Sequence, residues 1–345
     1  MKKPYVIAEI GVNFYDTAKE LNILPLDAAK LYIKEAANVG IDAVKFQSYK
    51  AETIAAKDSP AYWDLSKEPT TSQYELFKKL DGFNKEDYQC LCDYAKEIGI
   101  DFMSTPFDYD SADYLENMVD IYKISSSDIT NIPFIRHIAR KGKPIYLSVG
   151  ASYLYEVDEA VHAIQEEGNN NICLLHCVLS YPTRNEDANL NIIRHLRSVY
   201  PDLLIGYSDH TLPDPSMTIL TTAYLLGAEV IEKHFTLNKC LTGNDHYHAG
   251  DPSDFKKAIN NFSLIREIVG EQYKTVLPCE MIPRKEARRS LVLKHEMKKG
   301  DTIQKKDLIP KRPGTGISPK YTEVVIGRQL RSDLPKDSIL KWENI

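Results

Sequence analysis

Short apolar, β-branched runs alternate along the first 270 residues with stretches whose apolar positions recur every three or four residues. The runs at Tyr5–Ile10, Ala43–Tyr49, Asp101–Phe107, Ile121–Ser127, Pro144–Gly150, Asn171–Cys177, Leu203–Ser208 and Val230–Leu237 predict eight strands. Asp27–Val39, Lys85–Ile98 and Val157–Glu167 carry the period of amphipathic helices, and Phe255, Ile259, Phe262, Ile265 and Ile268 trace one buried stripe of a last helix. Gly40, Gly99, Gly168, Gly227 and Gly270 each stand just past a helical stretch, where the chain leaves a helix through positive φ.

A helix crossover returns the chain in the same direction, so this alternation predicts parallel pairing. Eight such units suit a closed α/β barrel, the (β/α)8 TIM barrel, over residues 1–270; the pattern by itself also admits an open doubly wound sheet. No GxGxxG follows the first strand, which disfavours the dinucleotide-binding form of that sheet. The long insertion from Ala51 to Asp81 falls on the catalytic face of a barrel, where such loops cover substrate. Residues 271–287, with Pro278 and Pro283, read as a linker. Residues 288–345 read as a small domain of turns and short strands, among them Ser290–Leu293 and Ile339–Trp342.

Composition narrows the partners. A net charge of -6 with no long like-charge run argues against nucleic acid. No apolar run is long enough to span a bilayer, and Glu9 interrupts the short apolar start, so neither a membrane nor a secretory signal is expected. The six cysteines lack paired CxxC spacing and read as reduced structural thiols of a cytoplasmic protein.

In a barrel the active site lies at the C-terminal strand ends. Those ends carry Glu9, the same-face pair Lys45 and Gln47, Thr105, Lys123 with Ser126 and Asp128, Ser148, His176 and then Tyr181, Ser208-Asp209-His210, and Glu232 with His234. Two lysines among hydroxyls suit phosphate or carboxylate oxygens, while pairing of either lysine with Glu9 or Glu232 is the structural alternative. His210 and His234 end adjacent strands and could hold a divalent cation. Asp245, His246 and His248 form a competing ligand set in the last loop.

Several segments, in order across the chain, resemble the sialic acid synthase family, the phosphoenolpyruvate-dependent nonulosonic acid synthases. They are Ala8-Glu9-Ile10-Gly11, Val44-Lys45-Phe46-Gln47, Ser104-Thr105-Pro106-Phe107-Asp108, Gly206-Tyr207-Ser208-Asp209-His210 and Ile231-Glu232-Lys233-His234-Phe235-Thr236-Leu237. Lys311-Arg312-Pro313-Gly314-Thr315-Gly316-Ile317-Ser318 is similar to the signature loop of that family's antifreeze-like (SAF) domain, a β-clip. The resemblance implies a barrel joined to an SAF domain in a domain-swapped homodimer. It implies condensation of phosphoenolpyruvate with an N-acylated amino sugar to a nine-carbon 2-keto acid and phosphate.

By the same resemblance Lys45, Thr105, Lys123, Ser126, Ser148 and Ser208 hold phosphoenolpyruvate, and His210 and His234 bind Mn2+ or Mg2+. Glu9, Gln47, Tyr181 and Asp245 face the sugar, Glu232 and Asp128 serve proton transfer or orient water, and Arg312 reaches the N-acyl group from the partner subunit. The chain departs from the family pattern at Phe14, Val149, Leu179 and around His246 and His248. Two rival readings use the same residues: a metal-dependent aldolase or hydrolase without phosphoenolpyruvate, and a non-catalytic sugar-binding barrel.

Overall fold

Eight parallel strands form one sheet: β1 (Tyr5–Gly11), β2 (Ala43–Ser48), β3 (Asp101–Pro106), β4 (Tyr122–Ile124), β5 (Ile145–Ser148), β6 (Ile172–His176), β7 (Leu204–Asp209) and β8 (Val230–His234). Their hydrogen-bonded order is β3-β2-β1-β8-β7-β6-β5-β4, so β8 returns to β1. This cyclic order is that of a barrel; an open doubly wound sheet has a point where the order reverses. β3 and β4 pack side by side, and among the described residues no ladder joins them, so the barrel is nearly closed. The structure, a computed structural model, describes residues 1–243 and 245–345. It divides into two compact units, Met1–Gly270 and Glu271–Ile345. Among the described residues no helix is long and apolar enough to cross a membrane.

The period of two along each strand builds the site. Ile7, Ala43, Met103, Tyr146, Cys173, Leu175 and Val230 pack together as an apolar plug inside the barrel. Two residues further along their own strands stand Glu9, Lys45, Thr105, Ser148 and Glu232, on the same face and therefore in the next interior layer. The opposite strand faces, including Ile10, Phe46, Phe102, Leu147, Ile205 and Ile231, pack beneath the helices. Each such buried side chain contributes roughly 1.5–3 kcal/mol. Gly206 permits a close approach in this wall, since a Cβ there would lie 2.4 Å from Leu175 Cδ2 and 2.7 Å from Val230 O.

Several strands, and the buried stripe of the last helix, end earlier than the sequence pattern predicts. The fourth strand stops at Ile124, because Ser125 accepts from the Ser127 amide and turns the chain into a 3-10 segment, Ser126–Asp128. The last helix, Pro252–Val269, buries Phe255, Phe262 and Ile265, but Ile268 is 69 % exposed. At about 100° per residue Ile268 has rotated off the stripe.

In the second unit β9 (Ser290–Leu293) pairs antiparallel with β10 (Leu308–Lys311), over a core of Leu291, Leu293, Ile303, Ile317, Val325 and Leu340. Ile339–Trp342 is not a strand; Ile339 makes a single bridge to Val292, and Trp342–Asn344 is a 3-10 turn. The pattern hides β10 because Pro310 and flanking lysines disguise it. Residues 271–287 group with the second unit and contain a 3-10 turn, Pro278–Glu280, and a short helix, Met281–Glu286.

Candidate active site

Four charged side chains, Glu9, Lys45, Lys123 and Glu232, stand above the plug, each only 3–4 % exposed. Lys45 is ion-paired with Glu9, donates to Thr105 Oγ1 at 3.2 Å and lies 3.8 Å from a Glu232 oxygen. Gln47 donates to the other Glu9 oxygen at 2.8 Å, and Ser208 donates to Glu232 at 2.8 Å. The pairing Glu9↔Lys45 in the β1–β2 ladder and Ser208↔Glu232 in the β7–β8 ladder brings these partners together. Lys123 has different company. It donates to Ser148 Oγ at 2.6 Å and to its neighbour's carbonyl, Ile124 O, at 3.1 Å, and among the described residues no carboxylate lies within ion-pair distance of it.

Desolvation disfavours charge in this layer. Burial raises the Glu9 carboxyl above its usual range and pushes the Lys123 ammonium below its usual value. Burial also opposes Lys45 and Glu232, but Glu232 and Glu9 hold Lys45 above its ordinary value, and Lys45 and Lys123 hold Glu232 below the carboxylate range. The layer therefore holds one compensated lysine and one whose charge lacks a close partner. Ser126 is buried in the turn after β4. A Cβ on Gly150 would lie 3.2 Å from its Oγ and 2.7 Å from Cys177 Sγ, so the end of β5 needs glycine.

Beside this layer three imidazoles meet. The ring centroids of His210 and His234 are 5.4 Å apart, His234 and His248 4.9 Å, and His210 and His248 6.3 Å. His210 Nδ1 lies 2.8 Å from Val178 O and so carries the proton, leaving Nε2 with the lone pair. Burial pushes His210 down to about 4 and holds His234 and His248 well below the usual histidine value, so all three are neutral near pH 7. His234, Asp245 and His248 each present one ligand atom, all within 4.8 Å of one another. The structure thus divides the loop set: Asp245 and His248 join His234, whereas His246 Nδ1 meets Thr236 Oγ1 at 2.7 Å and its Nε2 meets Asp16 at 3.3 Å. His176 is apart from both groups, bonded to Ala188 O at 2.9 Å.

The turn that carries His210 rests on a buried ion pair the sequence did not single out. Lys233 donates to Asp209 at 2.6 Å and to Thr211 O at 2.8 Å, and Asp209 also accepts from Tyr207 OH and the Thr211 amide. Asp209→Ala leaves Lys233 uncompensated in the wall, with an expected stability loss of about 3–5 kcal/mol. Chemical denaturation measures it, and an unchanged midpoint would show the pair to be dispensable.

A cavity of about 810 Å³ opens over these layers, reaching Gln47, Asp128, Tyr181, His234 and Asp245. The Ala51–Asp81 insertion supplies much of its wall, including Tyr62, Trp63, Gln73 and Phe77, none of which the sequence pattern marked as site residues. Their signal was the insertion itself. Burial raises the Asp128 carboxyl, which Asn131 approaches at 3.5 Å. Of the departures at Phe14, Val149 and Leu179 only Leu179 lines the cavity, and Asp245 of the departing loop joins it. Phe14 packs on Phe46 and Phe83, and Val149 belongs to the core beneath the helices. Arg312 is an exposed residue of the second unit, at the end of β10.

The upper interior of the barrel is thus built of buried lysines, carboxylates and hydroxyls, and the chain continues into a small β domain. Residues 32–274 match the NeuB family and residues 288–345 the SAF domain, and the chain belongs to the NeuB family. It is 40% identical over 342 residues to an uncharacterised protein of Methanocaldococcus jannaschii, covering 99% of this chain and 94% of that one. It is 36% identical over 348 residues to the N,N'-diacetyllegionaminic acid synthase of Legionella pneumophila, covering 99% and 94%. The solved N-acetylneuraminic acid (sialic acid) synthetase of Leptospira borgpetersenii, in complex with citrate, matches at a TM-score of 0.70 and 32% identity over 82% of this chain and 90% of that one. The chain is accordingly an enzyme of the nonulosonic acid synthase family.

Proposed function

We propose that the enzyme is a transferase that condenses phosphoenolpyruvate with an open-chain N-acylated amino sugar, N-acetylmannosamine or a 2,4-diacetamido hexose, giving a nine-carbon 2-keto acid and phosphate. The observation that carries this reading is Lys123, a buried ammonium held among the described residues by a hydroxyl and a carbonyl alone, beside a second lysine and further hydroxyls. Such a charge calls for an anion. Lys45, Thr105, Lys123, Ser126, Ser148 and Ser208 hold the carboxylate and phosphate. Gln47, Tyr181, Asp245 and Glu9 face the sugar, and the two acetyl groups in the name of the Legionella relative's product favour the diacetamido substrate.

Phosphoenolpyruvate C3 bonds to the aldehyde carbon, water adds at C2, and phosphate leaves with the bridging oxygen. Glu232, between Lys45 and Ser208, accepts the water's proton, and Asp128, its carboxyl raised by burial, is the second proton-transfer group. The buried Nδ1 of His234, without a hydrogen-bond partner among the described residues, fits a divalent cation, Mn2+ or Mg2+, with His210 and His234 as its ligands. When bound, the cation supplies a Lewis acid for the sugar oxygen. Arg312 reaches the N-acyl group from the partner subunit of a domain-swapped homodimer.

The test is incubation with phosphoenolpyruvate labelled with 18O at the bridging position, Mn2+ and a panel of 2-acetamido and 2,4-diacetamido hexoses, read by mass spectrometry. Labelled phosphate is expected only when both substrates are present. Phosphate release without sugar, or label retained in the keto acid, would sink the reading.

A further inference from the structure

We propose that His248 is a third imidazole ligand of this cation, which makes the site nitrogen-rich and selects a first-row transition ion over Mg2+. The inference deepens the proposed function and rests on its placing a cation at His234.

His248 is fully buried, and among the described residues neither of its ring nitrogens has a hydrogen-bond partner. A buried polar atom left unpaired costs about 1–3 kcal/mol, so a histidine kept there for packing alone would carry that cost twice. Its aromatic neighbours do not relieve it. Tyr181 and Tyr247 meet the ring edge-on, at centroid distances of 5.6 and 5.0 Å, and Tyr247 spends its hydroxyl on Tyr181 O. Phenylalanine would fill the same space without the two orphaned nitrogens.

Position supplies the positive argument. His248 Nε2 lies 4.0 Å from one Asp245 oxygen, and His234 Nδ1 lies 3.8 Å from the other. Ligand atoms around an ion at about 2.1 Å stand roughly 3–4 Å apart, so these three side chains need only close slightly around a common centre. His210 adds a third ring, with its centroid 5.4 Å from His234 and 6.3 Å from His248, oriented by Val178 and outside the close group of His234, Asp245 and His248.

The donor set then decides the metal. Mg2+ takes oxygen ligands and keeps several waters, whereas imidazole suits Zn, Cu, Fe and Ni, and Co2+ stands between Fe and Ni in the Irving–Williams order. Two imidazoles grouped with one carboxylate, and a third ring beside them, therefore favour Co2+ and its neighbours strongly over Mg2+.

The experiment uses the full-length protein stripped of metal and titrated with Co2+ and separately with Mg2+, by calorimetry and by visible absorption of bound Co2+. Wild-type protein is expected to bind Co2+ at least a hundredfold more tightly than Mg2+. His248→Phe, which keeps the ring packing, is expected to weaken Co2+ at least tenfold, to leave Mg2+ nearly unchanged and to alter the Co2+ spectrum. If that variant does not fold, as judged by circular dichroism, His248→Gln is scored by the same criteria. Tight Co2+ binding with a spectrum untouched by the substitution overturns this inference alone. Mg2+ bound as tightly as Co2+ likewise overturns this inference alone, whereas failure of the wild-type protein to bind either ion overturns both the inference and the cation of the proposed function.

Discussion

Replacing Lys123 by methionine is expected to weaken phosphoenolpyruvate binding severely while leaving the folded protein as stable as before or more stable. The two outcomes have one cause. In the free protein the Lys123 ammonium is buried with Ser148 and a carbonyl for company, and burial pushes its pKa down. Removing a charge that is poorly compensated relieves desolvation, worth roughly 1–2 kcal/mol in favour of the variant. The same change removes a charge aimed at an anionic substrate, and kcat/KM is expected to fall by about 10²–10³. Lys45→Met provides the contrast. It loses activity to a similar degree, but it also strips Glu9 of its ion pair and Glu232 of its nearest cation, so stability should fall by about 3 kcal/mol. Urea denaturation beside calorimetry with phosphoenolpyruvate separates the two. Equal destabilisation by both substitutions would show that Lys123 has a structural counter-charge and is not an anion receptor.

This contrast marks where the sequence is informative. Alternation of period two made the inward faces readable, so Glu9, Lys45, Thr105, Ser148 and Glu232 could be placed in one interior layer from strand ends alone. The division of labour within that layer was not readable, since it depends on which lysine lies nearer which carboxylate across the barrel. The departures at Phe14 and Val149 look alarming beside the family pattern, yet both side chains point into the core, and only Leu179 meets the cavity. A linear motif does not say which way a loop residue turns. The histidines follow the same logic. His210 and His234 are fixed by adjacent strands, but the loop returning from β8 must close before Asp245 and His248 come to His234 and His246 goes to Thr236. That closure is tertiary, and spacing alone left the two ligand sets as competitors when the structure combines parts of both.

The two layers also predict that binding and turnover can be separated. His234→Ala is expected to lower kcat/KM by about 10³ while the Kd for phosphoenolpyruvate alone stays within about threefold of wild type. The reason is spatial: the oxygen-binding groups Lys45, Lys123, Thr105 and Ser148 bond to one another and to the glutamates, and none of them bonds to an imidazole. Loss of one ring therefore leaves the lysine layer built, but removes a ligand of the proposed cation, where the sugar oxygen would gain charge. Chelation of the wild-type protein should reproduce the same pattern, with turnover lost and phosphoenolpyruvate still bound. Restoring a cation at a hundred times its Kd should raise stability by about 2.7 kcal/mol, seen as a higher Tm. His234→Ala should show neither the activity loss on chelation nor the full rise in Tm, because the site that responds to metal has already been opened. Undiminished turnover of either the variant or the chelated protein would remove the cation from the reaction and leave the anion layer to account for catalysis alone.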